Sequence, residues 1–213
     1  MARPKGTAKH EQISYLSDEQ LTRFLETAGK EKHCRNAFLF GLIYYYALRV
    51  SEVIALRLEY IDKENEEILI VPTKRGRPRR YDFGPNVTPK LWKRYRKWMK
   101  ERSHLADAND NPYLFISRMS GKDKPMSRDG IQAEFKRIGI KAGLITTGWN
   151  ALSIHSLRHS MAIHKLLAGD NIVEIQKWLR HKNIESTKRY IDEMGEELRA
   201  NERRTLQRAE GYL

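Results

Sequence analysis

Apolar positions along most of the chain recur at helical spacing, and in one region they alternate as a strand does. Ser17-Asp18-Glu19-Gln20 before LTRFL has the form of a capping box, Ser17 as N-cap and Gln20 reaching back, and predicts a helix start. NAFLFGLIYYYAL is as long as a buried helix and too short to span lipid, its three tyrosines packing groups with polar tips. Ser51 is the expected N-cap of a short helix over EVIALRL, which leaves Arg49 in a tight break between two helices. The pattern then changes: EEILIVPT, KRGRPR and RYDF read as a β-hairpin with a glycine in its connection. Thr88-Pro89 opens another helix by the proline-at-first-position signal, with Leu91, Trp92, Tyr95 and Trp98 on its apolar face.

Residues 107–124 are rich in turn formers around a short YLFIS run. Ser127 begins a helix to about Ala142, residues 143–148 are a break, and three helical segments follow: HSLRHSMAIHKLLAG ending at Gly169, NIVEIQKWLR, and a last one from near Ser186. The expected fold is mainly α with a small antiparallel β-sheet, one domain without internal repeats or a long linker. Residues 1–11 are expected as a mobile basic arm. Residues 192–213 are expected as a tail helix with a broken apolar edge of Met194, Leu198, Leu206 and Tyr212.

Charge narrows the partners. Forty Lys and Arg against 27 Asp and Glu give a net charge of +13, so the surface attracts polyanions, with nucleic acid foremost. The basic residues are spread along the chain instead of gathered in one amphipathic segment, which argues against a membrane surface. A single cysteine, Cys34, excludes an internal disulfide framework and a cysteine-cluster metal site. With no secretory pattern in MARPKGTAKHEQ, a cytoplasmic setting is expected.

KRGRPRR admits two readings. Its RGRP core has the composition of a hook for the minor groove of A·T-rich DNA, yet its place between two strand-like runs suits a hairpin tip. The second half carries denser signals: His155 and Arg158 three apart on one helical face, then His181, and Tyr190 nine residues later. A phenol near an arginine and two histidines can serve as a nucleophile, since cations favour the phenolate and an imidazole can take its proton. His159 and His164 read as packing or surface residues. Each member alone is more often structural; the ordered set carries the signal.

That set resembles the tyrosine recombinase family, the phage integrases and Xer-type recombinases. ALRVSEV supplies Arg49, Ser51 and Glu52; HSLRH matches the family's H-x-L-R-H box through His155 and Arg158; and LRH followed by TKRY stands where the family has L-G-H and its tyrosine. The resemblance runs from about Tyr15 to Ile191 and places a catalytic domain at 12–191. It decides the hairpin question for Lys74, the family's turn lysine, although Thr73 and Arg75 replace the flanking glycines.

The resemblance implies a site-specific recombinase that cuts and rejoins DNA through a 3′-phosphotyrosine on Tyr190, without metal, ATP or other cofactor. Arg49 and Arg158 would clamp the phosphate, Lys74 protonate the leaving 5′-oxygen, His155 assist proton transfer, His181 bind the scissile phosphate, and Glu52 orient Arg49. Arg75, Arg77, Arg79, Arg80 and Arg180 are expected DNA contacts, Arg180 standing where the family has glycine. Implied partners are double-stranded DNA, further copies of the chain as a tetramer on paired sites, and accessory DNA-bending proteins, with the protein at the nucleoid. Because catalytic-domain sequence begins within the first twenty residues, without the family's usual N-terminal DNA-clamping domain, the expectation is either a short recombinase, such as a fimbrial-switch invertase, or a fragment. Two alternatives remain open: a helix-turn-helix regulator built on NIVEIQKWLR-HKN-IESTKRY, and a type IB topoisomerase.

Overall fold

The computed structural model describes residues 14–31, 34–73, 76–105, 108–116, 124–145, 152–195 and 198–200, with 203, 207 and 210. Lys74, Arg75, the 1–11 arm, Leu206 and Tyr212 lie outside these residues. Ser17 accepts from the Gln20 N–H and Gln20 returns a bond to the Ser17 N–H, so α1 (Asp18–Gly29) begins at the expected capping box. It leads into α2 (Arg35–Tyr45), whose Phe38, Leu39, Phe40, Leu42 and Ile43 are fully buried. The tyrosine tips find polar partners: Tyr44 reaches His164 Nδ1 at 3.0 Å and Tyr46 donates to the Asp82 carbonyl at 2.8 Å.

The next helix, α3 (Val50–Ile54), begins two residues earlier than expected. Arg49, not Ser51, is its N-cap residue, because the Glu52 carboxylate accepts the Arg49 N–H at 2.8 Å and does the capping itself. Ser51 is left exposed and accepts a hydrogen bond from Thr73 Oγ1 at 2.9 Å, which ties the outgoing end of the hairpin strand to α3.

The sheet is antiparallel in the order β1 (Ile61–Asp62), β2 (Glu67–Ile70), β3 (Arg79–Asp82), with Ile68 opposite Tyr81 and Ile70 opposite Arg79. Ile68 and Ile70 face the core, as period-two alternation requires. Pro89 starts α4 (Pro89–Arg102), which buries Leu91, Tyr95 and Trp98 against α2, close enough that a Cβ on Gly41 would sit 2.7 Å from Leu91 Cδ1. Ser127 caps α5 (Arg128–Lys141), and Phe135 joins Phe24 and Phe40 in an aromatic cluster. The chain continues through α6 (Ile154–Leu167), α7 (Ile172–Leu179) and α8 (Glu185–Glu193). The fold is mainly helical with a small three-stranded sheet, as the pattern predicts.

Besides the main core around α2, a second apolar cluster joins Ala47, Ala162, Ile163, Leu166, Ile175, Leu179, Tyr190 and Met194. It locks α6, α7 and α8 together beneath the α2–α3 turn and forms the floor of the candidate site. No helix among the described residues is long and apolar enough to cross a membrane.

Candidate active site

Arg158 organises the site. It projects from α6 with only 4% of its surface exposed, and its two terminal nitrogens donate to the carbonyls of Ala47 and Leu179. One carbonyl lies two residues before Arg49 and the other two before His181, so one guanidinium ties together the segments bearing Arg49, Arg158 and His181. The α2–α3 turn is shaped for this by Ala47, which adopts a left-handed backbone at φ 46°. Burial, then the nearby Arg49 and Arg180, lower the Arg158 pKa to about 9, which leaves it a cation at neutral pH.

Arg49 is the more open of the two family arginines, with 38% of its side chain exposed. Glu52 holds it twice: one carboxylate oxygen takes its backbone N–H and the other its Nη1 at 2.9 Å. Burial pushes the Glu52 carboxyl up, but Arg180, the Arg49 N–H and the Arg49 guanidinium outweigh it and hold the pKa below the usual value. The side chain is thus an anion among cations.

Arg180 corrects an expectation. Its side chain is 6% exposed and turns inward, donating from Nη2 to Glu52 at 2.9 Å and to the Ala47 carbonyl at 2.8 Å. Nη1 reaches the carbonyls of Tyr46 and Trp178 and the Tyr81 hydroxyl at 3.0–3.1 Å. It is not placed to contact a phosphate. Its backbone keeps the left-handed conformation (φ 54°) that a glycine would adopt at the end of α7, with the His181 N–H bonded back to the Gln176 carbonyl at 3.1 Å. The arginine therefore preserves the turn and adds a buried strut between α7 and the α2–α3 turn.

His181 follows directly, its Nδ1 3.0 Å from Thr187 Oγ1 on α8. Burial, then Arg158 and Arg49, lower its pKa to about 4. The His155 residue is exposed overall, yet partial burial, then Arg158, Arg128 and Arg49, also lower its pKa. Both imidazoles are neutral donor–acceptor groups at pH 7.

Tyr190 lies on α8, 3% exposed, its ring in the second cluster and its hydroxyl 2.7 Å from Nδ1 of His159. The expectation that cations favour its phenolate is reversed here: burial raises the phenol pKa by more than Arg158, Arg189 and Arg49 lower it. The sequence reading of His159 as a packing or surface residue gives no sign of this contact with Tyr190. The available signal was its spacing, four residues beyond His155 and one beyond Arg158, which puts it beside the other box residues on α6.

Arg77, Arg79 and Arg80 stay on the surface; Arg79 donates to the Lys177 carbonyl at 3.0 Å and Arg80 pairs with Glu67 at 3.3 Å. Arg49, Arg158, His181 and Tyr190 are brought into one electrostatic neighbourhood with Glu52 beneath them. Two fixed guanidiniums, neutral imidazoles and a phenol form a site suited to a phosphodiester, because positive charge can be delivered to the non-bridging oxygens.

Residues 14–197 match the model of the phage integrase family, and the chain belongs to that family. It is 31% identical over 176 residues to the tyrosine recombinase XerA of Pyrococcus furiosus, covering 82% of this chain and 56% of that protein. With XerC of Escherichia coli O127:H6, also named a tyrosine recombinase, it shares 30% identity over 156 residues, covering 73% and 48%. Among solved structures it superimposes with a TM-score of 0.70 on the XerH site-specific recombinase bound to palindromic difH substrate in a post-cleavage complex, at 22% identity, covering 88% of this chain and 52% of that one. The chain spans about half the length of the curated relatives it matches.

Proposed function

We propose that this chain is the catalytic domain of a site-specific DNA recombinase that cleaves and rejoins double-stranded DNA through a phosphotyrosine on Tyr190. The observation that carries the reading is the Arg158 hub: one buried guanidinium fixes the segments bearing Arg49 and His181 over the cluster that holds Tyr190. Arg49 and Arg158 stabilise charge on the phosphate, His181 and His155 donate to it or relay protons, and Glu52 keeps Arg49 aimed. Lys74 protonates the leaving 5′-oxygen; the Thr73–Ser51 bond supports this reading by tethering its neighbouring residue two positions from Arg49. Arg75, Arg77, Arg79 and Arg80 follow the DNA backbone. Because the phosphotyrosine keeps the energy of the broken ester, religation needs neither ATP nor metal.

Residues 12–191 act as the catalytic unit, and 192–213 couple it to neighbouring copies in a tetramer on paired sites at the nucleoid. The match to the phage integrase family favours recombinase over a helix-turn-helix regulator, and burial of Tyr190 in the middle of α8 also argues against that helix as a base-reading element. The test uses a pool of nicked duplexes of randomised sequence, on which cleavage traps the covalent intermediate. Wild type is expected to yield a protein–DNA adduct mapped to Tyr190, while Tyr190→Phe binds DNA equally and yields none. An adduct that persists in Tyr190→Phe would refute the assignment.

A further inference from the structure

We propose that His159 is the base that takes the proton from Tyr190 as the phenolic oxygen attacks phosphorus, and so is a catalytic residue of this site. The proposal rests on the reading of Tyr190 as nucleophile. Among the described residues His159 makes the hydrogen bond to that hydroxyl, Nδ1 to oxygen at 2.7 Å, within the distance that general-base catalysis requires. His155, the imidazole to which the resemblance assigns proton transfer, has an exposed side chain and no hydrogen bond among the described residues.

The geometry also fixes the direction of the bond. A phenol donates its O–H, so Nδ1 must be the accepting nitrogen and the ring proton must reside on Nε2. Around the imidazole stand His155 and Arg158 from its own helix, Arg189 and Tyr190 from α8, and His181 from the turn after α7. Burial, then these positive neighbours, hold His159 at about 4, and burial holds Tyr190 up. In the resting site the proton therefore stays on oxygen.

A bound phosphate changes that balance. Its negative charge, seated beside Arg158, offsets the repulsion that an imidazolium at His159 meets from that guanidinium. The scissile phosphate thereby turns on the base that activates its own nucleophile. In cleavage the Tyr190 oxygen–phosphorus bond forms, the phosphorus–O5′ bond breaks, the phenolic proton passes to Nδ1 and the leaving 5′-oxygen takes a proton from Lys74. In religation the 5′-hydroxyl returns its proton to Lys74 as its oxygen attacks phosphorus, the phosphotyrosine bond breaks and His159 returns its proton to Tyr190.

His159→Asn separates placement from proton transfer, because the Asn carbonyl can accept the tyrosine's hydrogen bond but cannot carry its proton. On the nicked-duplex pool this variant is expected to form adduct about 100-fold more slowly than wild type, with DNA affinity within about threefold. The rate of wild type should rise with pH along a limb that the Asn variant lacks. His159→Ala should regain adduct formation with added imidazole, in proportion to its free-base form. An Asn variant within about threefold of the wild-type rate overturns the proposal. So does a slow Asn variant that keeps the wild-type pH profile, which would mark a purely structural histidine. Wild type that forms no adduct at all defeats the nucleophile reading instead, a failure that leaves a different signature.

Discussion

Replacing Arg180 tests whether a non-glycine at this turn contributes through its side chain. Arg180 and Glu52 are 6% and 1% exposed, so solvent screens their 2.9 Å contact weakly. Removing one partner of a buried pair costs about 3–5 kcal/mol because the other charge is stranded. Here the low end applies, since Arg49 still neutralises Glu52 through its N–H and Nη1. Arg180→Ala should thus lose about 3 kcal/mol in urea unfolding at neutral pH. Arg180→Gly recovers about 1–2 kcal/mol of left-handed backbone strain but gives back about 0.5–1 kcal/mol to unfolded-chain entropy. It should fall between Ala and wild type, about 2 kcal/mol below the latter.

A cycle with Glu52→Gln should show a coupling of about 1–3 kcal/mol, and each single variant should slow adduct formation by loosening Arg49. The pH dependence has a definite sign. Glu52 has a lowered folded pKa, so its contribution is present above the unfolded glutamate value and is lost as pH falls through the folded one. Without Arg180 that loss should occur at higher pH. An Arg180→Gly variant as stable as wild type, with an unchanged acid limb, would refute the strut and leave Arg180 a tolerated substitution.

Two further outcomes follow from the same residues. Lys74→Ala should slow cleavage of ordinary DNA yet be rescued when the leaving 5′-oxygen is replaced by sulfur, since a thiolate departs without an acid; absence of rescue moves the acid role elsewhere. His159 and His181 have folded pKa values near 4, so the stability of their neutral forms is complete above the unfolded value of about 6.5 and drains away as pH falls toward 4. Urea titrations across that window should show a combined loss on the order of 2–4 kcal/mol, roughly halved in His159→Asn; a flat profile contradicts their burial as neutral rings.

Much of the fold was legible because its local rules agree with its packing. The Ser17 box, Pro89 and Ser127 mark helix starts that the structure keeps, and the alternation in EILI does specify a strand whose isoleucines face the core. The start of α3 was misplaced because the usual rule favours a serine side chain as cap, whereas Glu52 performs that task from inside the helix while binding Arg49. The inward turn of Arg180 was illegible for a different reason. An arginine beside a catalytic histidine reads as a surface cation, and only contacts more than a hundred residues distant, Tyr46, Ala47 and Glu52, make its burial favourable. His159 carries no separate signal in the sequence, because a lone helical histidine is ordinarily structural and its partner Tyr190 lies on another helix.

The position of Tyr190 in the second apolar cluster joins stability to reactivity. The ring is held by Leu166, Ile175 and Leu179, and the same burial that stabilises α8 raises the phenol pKa. An exposed tyrosine in this cationic site would ionise more readily and carry a nucleophile in the absence of DNA. Burial keeps the hydroxyl neutral and hydrogen-bonded to one imidazole, so its proton stays on oxygen in the absence of DNA. The two arginines differ in setting: Arg158, bonded to two carbonyls, is buried in the frame, while Arg49, held by Glu52, is the more exposed. A buried Glu52 shared between Arg49 and Arg180 offsets the mutual repulsion of the guanidiniums gathered there.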